Sequence, residues 1–120
     1  MEEKYGYYLE DLTPGMSATY AKTVTEADVV LFAGISGDSN PVHIDNEFAQ
    51  STMFKGRIAH GMLTASFIST VLGTRLPGPG CVYVSQNLRF RAPVRIGDTV
   101  VISGDAILVV PRRPVVQAAE

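Results

Sequence analysis

Ten residues, Ser36-Gly37-Asp38-Ser39-Asn40-Pro41-Val42-His43-Ile44-Asp45, gather a carboxylate, an amide and an imidazole around one proline. Pro41 keeps Asn40 out of the helical region and fixes its own φ, so a preceding helix cannot run through. Gly37 and Ser39 suit a sharp turn. The segment is therefore expected as a stiff, irregular loop that carries Asp38 and His43 on opposite sides of a bend. A carboxylate that orients an imidazole is an acid/base pair able to grip one water. The same residues are also ordinary cap and turn formers, and a single histidine is often only a hydrogen-bonded bystander.

A second stretch, Ile58-Ala59-His60-Gly61-Met62-Leu63, opens a run in which apolar and small hydroxyl residues alternate up to Leu72. Apolar on all sides, residues 62–72 read as a buried helix. The first amides of a helix lack internal acceptors and carry the positive end of its dipole. Gly61 has no side chain, so a ligand oxygen could approach its N–H. The plainer alternative is that His60-Gly61 only turns the chain into a core helix.

Other elements must position these two stretches. Residues 16–23 alternate as a first strand, after a turn at Leu12-Thr13-Pro14-Gly15. Thr25 caps a helix, with Asp28 three residues on, and the helix stops at Gly37. Its apolar face is expected to carry Val29, Val30, Phe32, Ala33 and Ile35. Asp45 or Asn46 caps a short helix through Ala49, and residues 73–80 form a Pro/Gly-rich loop. Residues 81–90 make the strongest strand, with Val82, Val84, Leu88 and Phe90 on one alternate set. Residues 99–103 and 106–110 follow as strands about a Gly104-Asp105 hairpin signal. The tyrosine-rich residues 1–10 are expected as an arm on the body or on a partner, and the tail from Arg112 as frayed.

Composition bounds the function. At 120 residues the chain is one small domain, and 46% apolar with 18% charged residues is the balance of a folded one. A net charge of −2 with scattered arginines gives no nucleic-acid footprint, although Arg89, Arg91 and Arg95 could meet a ligand's phosphates. The one cysteine, Cys81, lies in an apolar run, excludes an intrachain disulfide and fits a reducing cytoplasm. No secretion signal and no apolar run of membrane-spanning length is present in these residues.

Taken together, the Asp–Asn-Pro–His element and His60-Gly61-Met62, with Gln86-Asn87-Leu88-Arg89-Phe90, Pro93-Val94 and Gly97-Asp98, resemble the MaoC-like (R)-specific enoyl-CoA hydratases over nearly the whole chain. The resemblance implies an α+β hot-dog fold, an antiparallel sheet wrapped around one long helix, as a single domain over residues 1–120. It implies a cytoplasmic hydro-lyase of fatty-acid metabolism, paired as a homodimer or higher homo-oligomer. Its substrate would be an acyl-CoA or acyl-carrier-protein thioester, with no cofactor, metal, nucleic acid or membrane involved. Asp38, His43 and Gly61 would be catalytic; Asn40, Ser69 and Leu72 would bind substrate. As a loop residue, His43 should contribute little to the core. A hot-dog thioesterase and a non-catalytic acyl-CoA-binding subunit are the rival readings. One departure stands out: Gly97-Asp98-Thr99-Val100 runs almost directly into Gly104-Asp105-Ala106-Ile107, and about one hairpin of the family pattern is missing between them. Either the sequence as given omits that segment, or the C-terminal sheet is shortened, and the second case would uncover Phe67 and Ile68 on the central helix.

Overall fold

The computed structural model describes residues 6–103 and 106–114. Strand β1 (Tyr20–Thr23) leads into helix α1 (Glu26–Ser36), the one-turn helix α2 (Pro41–Ile44) and helix α3 (Asn46–Gln50). Helix α4 (Gly61–Thr74) follows, then β2 (Val82–Ser85), β3 (Thr99–Ile102) and β4 (Ile107–Val109). The fold is α+β, with α4 as its longest element.

The core is built where α4 meets the β1–β3 ladder. Leu63, Phe67 and Val71, one helical turn apart, are buried on one stripe of α4. They join Val24, Val29, Ala59 and Ile102. Tyr20 on β1 meets the Phe67 ring edge-on, with centroids 6.1 Å apart. The antiparallel register sets Tyr20 against Ile102 and Thr23 against Thr99. Fully burying a side chain such as Phe67 stabilises the fold by roughly 1.5–3 kcal/mol.

Several expectations change. Helix α4 is buried along a stripe, and Met62, Ser66 and Ser69 on its other side are exposed. The uncovered surface is therefore not at Phe67, which is buried, nor at Ile68, which is half-buried. On α1 only Val29 is buried; Phe32 and Ala33 are half-buried, whereas Val30 and Ile35 face solvent. Residues 29, 32 and 33 share a helical face, while 30 and 35 fall off it. The first strand starts at Tyr20 rather than Met16.

The long strand over residues 81–90 shrinks to β2, all of it exposed. Its partner β4 has three residues, and the pairing slips between Tyr83 and Ser85. Alternation without a partner strand does not make a ladder, so residues 86–90 leave the sheet. Strands β3 and β4 do not form the expected hairpin: β3 pairs with β1, and β4 with β2. The Gly104-Asp105 turn itself lies outside the described residues, as do residues 1–5 of the arm and 115–120 of the tail. The described part of the arm lies on the body: the Gly6 and Tyr7 N–H groups donate to the Pro79 and Pro77 carbonyls, and Leu9 N–H to Pro111.

Candidate active site

Local hydrogen bonds shape the caps and turns from Thr25 to Phe48, with Val29 and His43 buried among them. Thr25 and Asp28 form a reciprocal capping box at the start of α1. At its end Gly37, in the left-handed region at φ +80°, returns its N–H to the Ala33 carbonyl. The Ser36 hydroxyl accepts from the Asp38 N–H at 3.1 Å, and the Asp38 carboxylate accepts from the Asn40 N–H at 3.1 Å. The Asn40 side-chain oxygen then accepts from Val42 N–H at 3.1 Å and caps α2. Asp45 caps α3 in the same way, through the Phe48 N–H.

His43 therefore rides on a helical turn rather than on an irregular loop. Pro41 does keep Asn40 out of the helical region, but it also starts α2 from the first helical position. There its missing N–H costs nothing and its fixed φ already suits a helix. The histidine is not peripheral either. It is buried, and its ring stacks on His60 with centroids 3.9 Å apart and planes at 30°.

The two histidines have their tautomers set by backbone carbonyls. His43 Nδ1 lies 2.8 Å from the Ile58 carbonyl oxygen. A carbonyl can only accept, so Nδ1 carries the hydrogen and Nε2 of the neutral ring carries the lone pair. In His60 the arrangement is reversed: Nε2–H donates to the Asp38 carbonyl at 2.9 Å, and Nδ1 is buried without a partner among the described residues. Phe32 closes the outer face of His60, with centroids 4.9 Å apart.

Asp38, His43 and His60 bring one carboxylate oxygen and two ring nitrogens within 4.8 Å of one another. This is a two-histidine, one-carboxylate set of the kind that can hold a metal. Stacked rings, however, aim their in-plane lone pairs side by side instead of at one point, which is poor geometry for sharing an ion. A water gripped by a carboxylate and an imidazole lone pair fits the cluster better.

Gly61 is the first residue of α4, directly after His60. A Cβ there would lie 3.0 Å from the Phe90 ring, so the glycine lets that ring close over the helix start. A cavity of about 210 Å³ opens beside it, lined by Ile58, Ala59, Gly61, Thr64 and Phe90. Ser69 is exposed and lines a separate cavity of about 320 Å³ with Phe32, Met62, Ser66 and Tyr83. Leu72 is half-buried two residues from the end of α4, where its carbonyl accepts from the Gly78 N–H and the Cys81 thiol. Asp38, His43 and Gly61 thus gather around His60, Asn40 braces the turn between them, and Ser69 and Leu72 lie further along the helix.

Two residues of this arrangement escaped the sequence reading. His60 was visible there as a turn into the helix and as part of the His60-Gly61-Met62 motif, with no role given to its side chain. Arg57 had no signal at all: its Nε–H donates to the His43 carbonyl at 2.6 Å while its other nitrogens bind both oxygens of Glu26, at 2.7 and 3.0 Å. It ties the start of α1 to the end of α2.

Comparison with known proteins agrees with this geometry. Residues 12–106 match the MaoC like domain family. Over 107 residues the chain is 58% identical to an (R)-specific enoyl-CoA hydratase of Rhodospirillum rubrum, covering 89% of this chain and 74% of that protein. It is 54% identical over 106 residues to a 3-hydroxybutyryl-CoA dehydratase of Methylorubrum extorquens, covering 88% and 68%. The R-hydratase PhaJ1 from Pseudomonas aeruginosa, solved in the unliganded form, superimposes with a TM-score of 0.81 at 36% identity, over 96% of this chain and 93% of that one. The α+β fold is accordingly the hot-dog fold of those R-hydratases. The chain belongs to the MaoC-like dehydratase family.

Proposed function

We propose that this chain is an (R)-specific enoyl-CoA hydratase, a hydro-lyase that reversibly adds water to a trans-2-enoyl-CoA to give the (R)-3-hydroxyacyl-CoA. The observation that carries the reading is the bond from His43 Nδ1–H to the Ile58 carbonyl. It leaves a lone pair on Nε2, and His43 offers a ring nitrogen to the same cluster as the Asp38 carboxylate.

In the forward direction Asp38 and His43 hold one water between them. As its oxygen bonds to C3, the water gives up a proton to the pair, and the C2–C3 π electrons move toward the thioester oxygen. The Gly61 N–H meets the charge gathering there, a contribution of about 3 kcal/mol for a single well-aimed donor. The pair then returns a proton to C2, so the net change is one water added. Asn40 keeps the turn in shape through its cap of α2. Ser69 and Leu72, further along α4, line the room for the acyl chain, whether its carrier is CoA or acyl carrier protein.

The same reading treats residues 1–120 as one domain acting in the cytoplasm as a homodimer or higher homo-oligomer, without cofactor, metal, nucleic acid or membrane. No helix among the described residues is long and apolar enough to cross a membrane. Support for assembly comes from exposed apolar side chains: Val82 and Val84 on β2 and Met62 on α4 are each more than half exposed. Sedimentation that finds a fully active monomer at assay concentration overturns the assembly.

The test of function is loss of the enoyl absorbance of crotonyl-CoA on adding the purified protein, with a free-thiol assay alongside. Hydration without thiol release is the expected result. Thiol release without hydration replaces the hydratase with a thioesterase.

A further inference from the structure

His60 is the more deeply buried of the two histidines, at 2% exposure, and the steps above give it no task. Its Nδ1 is buried with no hydrogen-bond partner among the described residues, which burial normally penalises. A phenylalanine would fill the same space between His43 and Phe32 without that penalty. What the imidazole adds is a donor on its far edge, the Nε2–H, spent on the main-chain carbonyl of Asp38.

Among the described residues, that bond is the one long-range hydrogen bond of Asp38. The other hydrogen bonds of Asp38, to Ser36 and Asn40, span two residues each and lie in solvent. The bond to His60 spans 22 residues and ends on a buried ring at the start of α4. The same ring backs His43 at 3.9 Å, and the next residue is Gly61. One side chain therefore links the Asp38 main chain and the His43 imidazole at the residue where α4 begins. We propose that His60 is a positioning residue for hydration, whose Nε2–H holds the Asp38 carbonyl and so fixes the carboxylate relative to the base nitrogen of His43. The proposal rests on the hydratase reading above.

Two variants separate the donor from the ring, because His60→Phe keeps a ring and loses the N–H, whereas His60→Gln keeps an N–H and loses the ring. With crotonyl-CoA, His60→Phe should lower kcat by roughly 10- to 100-fold, the range set by displacing a reacting group by about 1 Å, with KM little changed. His60→Gln should recover most of the lost kcat. If the phenylalanine variant turns over like the wild type, or the glutamine variant is as slow as the phenylalanine one, the proposal is wrong. A nitrogen-15 NMR spectrum of the wild-type protein tests the tether without any variant and decides the matter if His60→Phe does not fold. The hydrogen should sit on Nε2 of His60, and finding it on Nδ1 overturns the proposal. A wild type that hydrates nothing would sink the hydratase reading instead, and the tautomer would still report whether the tether exists.

Discussion

Replacing Asp38 by asparagine tests whether its carboxylate does chemistry or only shapes a turn. In the structure the carboxylate accepts one hydrogen bond, from the Asn40 N–H at 3.1 Å, and the residue is exposed. An asparagine oxygen accepts the same bond, so Asp38→Asn should unfold at the wild-type temperature. Asp38→Ala loses the bond, about 1 kcal/mol for an exposed contact, or roughly 3–5 °C in Tm for a chain of this length. Turnover should follow the opposite logic. An amide cannot take a proton from water, and losing a general acid/base group costs about 10²- to 10⁴-fold in rate. That is about 2.7 kcal/mol of transition-state stabilisation or more, well above the worth of the turn. Both variants should therefore be slow to a similar degree, while only the alanine one is less stable. Crotonyl-CoA hydration and thermal unfolding, measured on the same preparations, read the two quantities separately. If Asp38→Asn hydrates within a fewfold of wild type, Asp38 is a turn residue and the proposed mechanism loses its acid.

Two further perturbations follow from the packing. His43→Ala should abolish hydration and also cost about 2–4 kcal/mol of stability, because it empties a buried site and leaves the Ile58 carbonyl without its donor. An unchanged denaturation midpoint would restore the expectation of a peripheral loop histidine. The Lys22 ammonium, 2.6 Å from the Asp28 carboxylate, together with the Thr25 N–H holds that carboxyl below its usual range. A folded-state value below the unfolded one means stability that is present above the ordinary carboxylate range and lost as pH falls through the lowered value. Asp28→Asn should therefore cost about 1 kcal/mol near neutral pH, and its deficit in Tm should close as the pH drops below the usual carboxylate range. A deficit that does not change with pH would assign the effect to the cap alone.

The sequence was most informative where structure is local. The capping box of Thr25 and Asp28, the stop at Gly37 and the cap at Asp45 all form as their residue types dictate, because each is closed by bonds spanning three or four residues. Strands fared worse. The alternation of Val82, Val84, Leu88 and Phe90 is present, yet only Val82–Ser85 is a strand. A ladder needs a partner, and which strand supplies it is a long-range fact that periodicity does not hold. The candidate site divides the same way. Asp38 and His43 stood out because they share ten residues with a proline. Arg57 and His60 act on carbonyls 14 and 22 residues away, and nothing in their own neighbourhood announces those partners.

Those carbonyls also explain how a site on short turns can hold defined ring tautomers. Three side chains converge on main-chain oxygens: His43 on Ile58, His60 on Asp38, and Arg57 on His43 itself. A carboxylate or hydroxyl in place of a carbonyl could exchange the proton and leave the tautomer free. A carbonyl has no proton to give, so each ring must present its N–H there and its lone pair elsewhere. For His43 that lone pair is the base of the proposed mechanism. For His60 it meets no hydrogen-bond partner among the described residues. The asymmetry between two stacked rings of the same residue type thus separates a nitrogen available as a base from a nitrogen used as a tether. Exchanging the two bonds, with His43 holding its carbonyl through Nε2, would move the base nitrogen to the other edge of the ring. The backbone around Ile58 therefore chooses which nitrogen of His43 carries the lone pair that the proposed mechanism uses.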